Sequence, residues 1–127
     1  MNKEDKELLL RDLCNRLPYN VMCQVEFKED GKYNSKVMLL SGIFTDEAYF
    51  TTKGGSIYSN EYKPYLFPMS SMTDEQKQEY QHITERWMYD SSYSISDSID
   101  WLNVHHFDYR GLIEKGLAID ATGLNIY

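Results

Sequence analysis

The sequence predicts an α+β fold: an N-terminal helix, a small antiparallel sheet or SH3-like barrel of about four to five strands, and two C-terminal helices. Three observations predict it. Leucines recur at helical intervals near the start, short alternating segments with turn signals between them fill Asn20 to Ser59, and a helix start is written out at Thr73.

The first helix rests on Leu9, Leu10, Leu13 and Leu17, with Lys6, Arg11, Asp12 and Arg16 mostly between them. Pro18 stops it, because proline lacks an amide hydrogen and biases Leu17 away from helical geometry, so the helix covers about Lys3 to Arg16. In the segment from Asn20 to Phe27, Val21, Cys23, Val25 and Phe27 share one face of a strand. Glu29-Asp30-Gly31-Lys32 is a turn signal, and Lys36 to Phe44 reads as a buried strand bent at Gly42. Ala48 to Thr52 is the third strand, Lys53-Gly54-Gly55-Ser56 a hairpin turn, and Ile57-Tyr58-Ser59 a short fourth strand.

Lys63-Pro64-Tyr65-Leu66-Phe67-Pro68 is restricted to extended or turned backbone by its prolines, with its apolar side chains against the sheet. Thr73 is the N-cap of the next helix, Gln76 stands at the capping-box position, and Asp74 and Glu75 suit the positive end of the helix dipole. Tyr80, Ile83, Trp87 and Met88 give that helix an apolar stripe to about Tyr89. A serine-rich loop is expected from Asp90 to Ser96, and a shorter helix from about Asp97 to His106 with Ile99 and Leu102 inward. Leu117-Ala118-Ile119 forms one more strand or packs in extended form.

At 127 residues, with no repeat or linker, the chain fits one domain spanning 1–127. Its 14% aromatic content, with eleven tyrosines, separates it from disordered chains. Twenty acidic against thirteen basic residues leave a net charge of −7, which counts against binding nucleic acid through phosphates. The charged N-terminus carries no export signal, and no apolar stretch is long enough to span a bilayer. Cys14 and Cys23 form neither a CxxC pair nor a zinc ligand set and read as reduced thiols. A cytoplasmic protein without membrane contact is expected.

Three blocks carry a family resemblance. They are Leu17-Pro18-Tyr19, then Lys63-Pro64-Tyr65-Leu66 continuing through Pro68-Met69-Ser70-Ser71-Met72-Thr73, and finally Asp100-Trp101-Leu102-Asn103 continuing through His105-His106-Phe107-Asp108-Tyr109-Arg110-Gly111-Leu112-Ile113. The chain resembles a family of short proteins of Bacteroides-type gut bacteria found in phage and mobile-element contexts. The resemblance covers most of the chain and implies a phage-related origin, with no activity, cofactor or catalytic residue attached. Family members tend to have arginine where this chain has Phe67, and proline where it has Glu114-Lys115.

The densest cluster of chemistry-bearing residues lies in the third block: Trp101, His105, His106, Asp108, Tyr109 and Arg110. His105 and His106 with Asp108, and with His82 or Asp100 from elsewhere, are the one conceivable metal set. Adjacent helical residues point about 100° apart, however, and the i, i+4 spacing of helical zinc ligands is absent. The structural reading places one histidine beside Trp101 and the other against carbonyls at the helix C-terminus. Asp108-Tyr109-Arg110-Gly111 reads as an anion clamp or, favoured, as a turn in which Asp108 accepts backbone hydrogens, Arg110 pairs with it and Gly111 takes a positive φ.

A hydrolase drawing a nucleophile from Ser70-Ser71 lacks a nucleophile elbow, and the Gly54-Gly55 turn lacks the P-loop pattern. No catalytic residue, metal or cofactor is therefore assigned. Tyr49, Tyr58, Tyr62 and Tyr65 are the candidate binding surface, since exposed tyrosines favour interfaces. The first reading is a non-enzymatic phage or mobile-element accessory protein acting on an unidentified protein partner. A homodimer through a strand edge or tyrosine face fits the same reading. The second is a small enzyme or a ligand or metal binder using the His/Asp/Arg cluster. The third is single-stranded nucleic-acid binding by aromatic stacking.

Overall fold

The computed structural model describes residues 2–45, 47–89 and 95–127, without the side chains of 87–89 and 95. The fold is α+β, as the patterning predicts. Helix α1 covers Lys3–Arg16, and the Asn2 carboxamide caps it by accepting the Asp5 amide at 2.7 Å. A 3-10 turn at Leu17–Tyr19 follows, with Pro18 in it, and Asn20 in the left-handed region (φ 58°) redirects the chain into the sheet.

Strands β1 (Met22–Glu29), β2 (Lys32–Ile43), β3 (Ala48–Thr52) and β4 (Gly55–Ser59) form an antiparallel meander. Asp30 and Gly31, both at positive φ, make the tight β1–β2 turn. A register shift between Leu40 and Gly42 bends β2, with Gly42 beside the Phe44 ring and the Tyr49 side chain. The Lys63–Pro68 segment lies inside a strand, β5 (Glu61–Pro68), which pairs antiparallel with β1 from Glu61 opposite Glu26 to Pro64 opposite Cys23. The ladder ends at the proline, which has no hydrogen to donate.

Beyond Pro64 the strand takes new partners in parallel. Its Tyr65 and Leu66 pair with β7 (Ile119–Asp120), and its Phe67 and Pro68 with β6 (Phe107–Asp108). The sheet thus has seven strands, with the path β4-β3-β2-β1-β5-β6, rather than four to five. It is mixed and curled but not closed, so the expected SH3-like barrel is not formed. Instead of pairing along β1, β4 ends one side of the sheet.

Helix α2 covers Asp74–Tyr89 and begins with a reciprocal capping box. The Thr73 amide donates to Gln76 Oε1 at 2.9 Å and the Gln76 amide to Thr73 Oγ1 at 3.1 Å. Trp87 and Met88 of the expected stripe lie among the undescribed side chains, while Tyr80 and Ile83 pack inward. Helix α3 covers Ile95–Val104, so Ile95 and Ser96 are helical; the rest of the expected 90–96 loop lies outside the described residues.

Two cores result. Leu9 and Leu13 of α1 meet Val21, Val25, Met38, Leu40, Phe50 and Leu66 of the sheet, with Leu112 and Leu117 from the tail. Trp101, Leu102 and Phe107 gather Met72, Tyr80 and Ile83 in the second. Each fully buried leucine in these clusters stabilises the fold by roughly 1.5–3 kcal/mol.

Candidate functional site

A pair of residues that reads as solvated surface turns out to be the polar centre of the molecule. Asp12 and Arg16 are fully buried one helical turn apart on α1, on the same stripe as Leu9 and Leu13. Arg16 Nε donates to Asp12 Oδ2 at 2.6 Å and Arg16 Nη2 donates to the Phe107 carbonyl of β6 at 2.7 Å. Arg110, one-fifth exposed, places its Nε 3.3 Å from Asp12 Oδ1, an ion pair without hydrogen-bond alignment. Both guanidinium groups lie over the Tyr109 ring, at 4.9 and 5.2 Å from its centroid. The signal present in the sequence was the i, i+4 spacing of Asp12 and Arg16 within the leucine stripe.

Arg110 therefore pairs with Asp12 and not with Asp108. Asp108 instead spends its carboxylate on the chain after it: Oδ1 accepts the Leu112 amide and Oδ2 the Ile113 amide, both at 2.9 Å. Gly111 takes φ +74° in the turn, a conformation that a side chain would strain. The Tyr109 hydroxyl donates to Asn103 Oδ1 at 2.9 Å, tying the turn to α3.

The two histidines diverge as adjacent residues should. His105 packs beside Trp101 at 4.3 Å between ring centroids. Trp101 is further held by Phe107, stacked at 5.8 Å, and by its indole N–H, which donates to Glu79 at 3.0 Å. His106 ends α3 at φ +61°, and its backbone amide reaches the Asn103 carbonyl at 3.1 Å. Its imidazole does not bond the helix carbonyls. It stacks on Tyr127 at 3.6 Å, with Nδ1 buried and lacking a hydrogen-bond partner. Burial foremost, then the Arg16 and His105 charges, lower its pKa to about 4, so the ring is neutral at neutral pH.

Tyr127 completes the sheet. Its hydroxyl donates to the Tyr65 carbonyl at 2.7 Å and accepts the Met22 amide at 2.9 Å, replacing the pair that β1 and β5 stop forming after Pro64. Burial pushes its phenol well above the ordinary range.

A cleft of about 460 Å³ opens beside His105, His106, Phe67, Ser71, Gln76 and Tyr127. Its chemistry is limited. The Ser71 hydroxyl donates to the Pro68 carbonyl at 2.6 Å, and Asp108 faces backbone amides. Among the described residues, no three His, Cys, Asp or Glu side chains gather to hold a metal ion. His82 lies exposed on α2, and Asp100 lies beside Tyr19, whose phenol is raised by desolvation and by that carboxylate. Cys14 is exposed and Cys23 buried, and neither is in a disulfide.

The four candidate tyrosines do not share a face. Tyr49 and Tyr58 pair across β3 and β4 on the outer side, 4.9 Å between centroids, with Phe44 5.7 Å from Tyr58. Tyr58 and Phe44 are more than half exposed. Tyr62 instead packs on Phe50 of the core, and buried Tyr65 donates its hydroxyl to Gln24. Among the described residues, no helix is long and apolar enough to cross a membrane. Comparison with models of protein families, with curated proteins and with solved structures finds no match.

Proposed function

We propose that the chain is a non-enzymatic accessory protein that works by protein–protein contact. One observation carries this reading: the uncovered aromatic group of Phe44, Tyr49 and Tyr58 on the outer face of β2–β4. Aromatic residues at such surface positions are the side chains that interfaces favour. The C-terminal cluster supports the same reading by its engagement. Asp108, Tyr109, Arg110 and Arg16 are bonded to one another's elements, which is the work of a structural junction. The resemblance of the Lys63–Thr73 and Asp100–Ile113 blocks supports an origin in phage or mobile DNA of gut bacteria.

The test is affinity capture from a lysate of such a bacterium, comparing the wild type with a Phe44→Ser/Tyr58→Ser variant and assaying both for bound metal and small molecules. A stoichiometric partner held by the wild type and lost by the folded variant is expected. A bound metal or small molecule with no partner overturns the reading and moves attention to the cleft beside His105.

A further inference from the structure

The sheet fails to close along one line, and that line has the form of a docking groove. Strand β1 pairs with β2 along its full length, but with β5 only as far as Glu26. Beyond Glu26, the other edge of β1 pairs with no strand among the described residues. Strand β4, at the end of the sheet, pairs on one side only among the described residues. Because β4 runs into β5 through Asn60, it passes the continuation of β1 in the antiparallel sense. The two meet where Ser59 Oγ donates to the Glu26 carbonyl at 2.6 Å.

From that point to the β3–β4 turn the edges are separated by cavities of about 520 and 140 Å³, both of which border Phe27 and Ile57. A free strand edge with a groove beside it is a template for an added strand, whose backbone would bond the edge while alternate side chains fill the groove.

The walls state what side chains suit it. On the inner side Phe27 and Ile57 are half-buried against the core, which favours an apolar residue. The outer rim carries Glu26, Glu47 and Glu61, none in an ion pair within 4 Å among the described residues, beside the exposed Tyr58 ring. The cations here are already engaged: Lys28 lies over Tyr33 at 5.0 Å, and Lys36, which lines the smaller cavity, lies over Phe27 at 6.0 Å. Carboxylates together with an open aromatic ring recognise lysine or arginine. A second copy of this chain, at net charge −7, would bring charge of the same sign.

Resting on the reading of the chain as an interaction protein, we infer that the seam between β1 and β4 binds an extended segment of a partner protein in which basic and apolar residues alternate. The segment adds as a strand along Gly55–Ser59, its apolar side chains on Phe27 and Ile57 and its basic ones among Glu26, Glu61 and Tyr58.

The probe is a short capped peptide alternating lysine and valine, with a glutamate–valine peptide as its counterpart. Binding is read by calorimetry and by amide hydrogen exchange along β4, on the wild type and on a Glu26→Lys/Glu61→Lys variant whose fold is checked by its amide spectrum. Glu47→Lys serves in its place if the double variant does not fold. Slowed exchange at Ile57 and its neighbours, no binding of the glutamate peptide, and about tenfold or greater loss of affinity on charge reversal uphold the inference. Unchanged exchange on β4, equal binding of the two peptides, or indifference to charge reversal overturns it. The broader reading stands or falls separately on partner capture by a Phe44→Ser variant that keeps Tyr58, because Phe44 lies outside the seam.

Discussion

The two ends of the sheet treat an open strand edge in opposite ways. Around the outer half of β5, strands β6 and β7 and the Tyr127 hydroxyl occupy the backbone groups that β1 leaves free. The neighbouring charges are drawn into one buried group of Asp12, Arg16 and Arg110. At the β4 end, the outer edge pairs with no strand among the described residues, the aromatics face outward and Glu26, Glu47 and Glu61 are in no ion pair within 4 Å. The same fold therefore holds a region in which polar groups serve the chain itself and a region in which they are left for something else. Function is more reasonably sought where satisfaction stops than where chemistry-bearing residues are densest.

Breaking the satisfied end should cost the most. Arg16→Met leaves Asp12 buried with only a misaligned partner, and chemical denaturation should show a loss of about 3–5 kcal/mol. Adding Asp12→Leu should return much of it, since an apolar pair replaces the buried ions. Tyr127→Phe removes one hydroxyl and strands both the Met22 amide and the Tyr65 carbonyl, for an expected loss of about 1–3 kcal/mol.

His106 sharpens the comparison through pH. Its folded pKa, about 4, lies below the unfolded value near 6.5, so the unfolded chain binds the extra proton between them. The stability it contributes is complete above about pH 6.5 and is lost as pH falls toward 4. Allowing for its partial exposure, the span is up to about 2 kcal/mol. His106→Asn, which keeps a residue tolerant of positive φ, should flatten that part of the Tm–pH profile. The smallest change is expected at the open end, where Phe44→Ser/Tyr58→Ser should alter stability by under about 0.5 kcal/mol per site. A larger loss would make these aromatics structural and remove the contrast between the two ends.

Local signals in the sequence were legible. The first helix ends at Arg16 ahead of Pro18, and Thr73 and Gln76 make the reciprocal cap their spacing promises. Asp108 and Gly111 behave as a turn. What was hidden depends on partners distant in the chain. Two prolines disguise β5, whose pairing with β1 ends at the first of them. Strand β6 is two residues long and pairs with β5, while the tail strand expected at Leu117–Ile119 forms one residue later, as β7 at Ile119–Asp120. Asp12 and Arg16 have the spacing of an ordinary surface pair, and only the arrival of Phe107 and Arg110 makes them a core. The tyrosines divide because alternation along a strand decides which face each takes, and Tyr62 and Tyr65 sit in β5, whose prolines mask its strand pattern in the sequence.

The Tyr127 hydroxyl has a consequence for how the molecule is made. Its bond to Met22 spans 105 residues, and that of Arg16 to Phe107 spans 91. A nascent chain can assemble its meander early, yet the junction of β1 with β5 stays unsealed until translation has passed residue 127. Bonds of such separation raise the contact order of the fold, so folding is expected to be slower than the local pairings of the meander alone would allow.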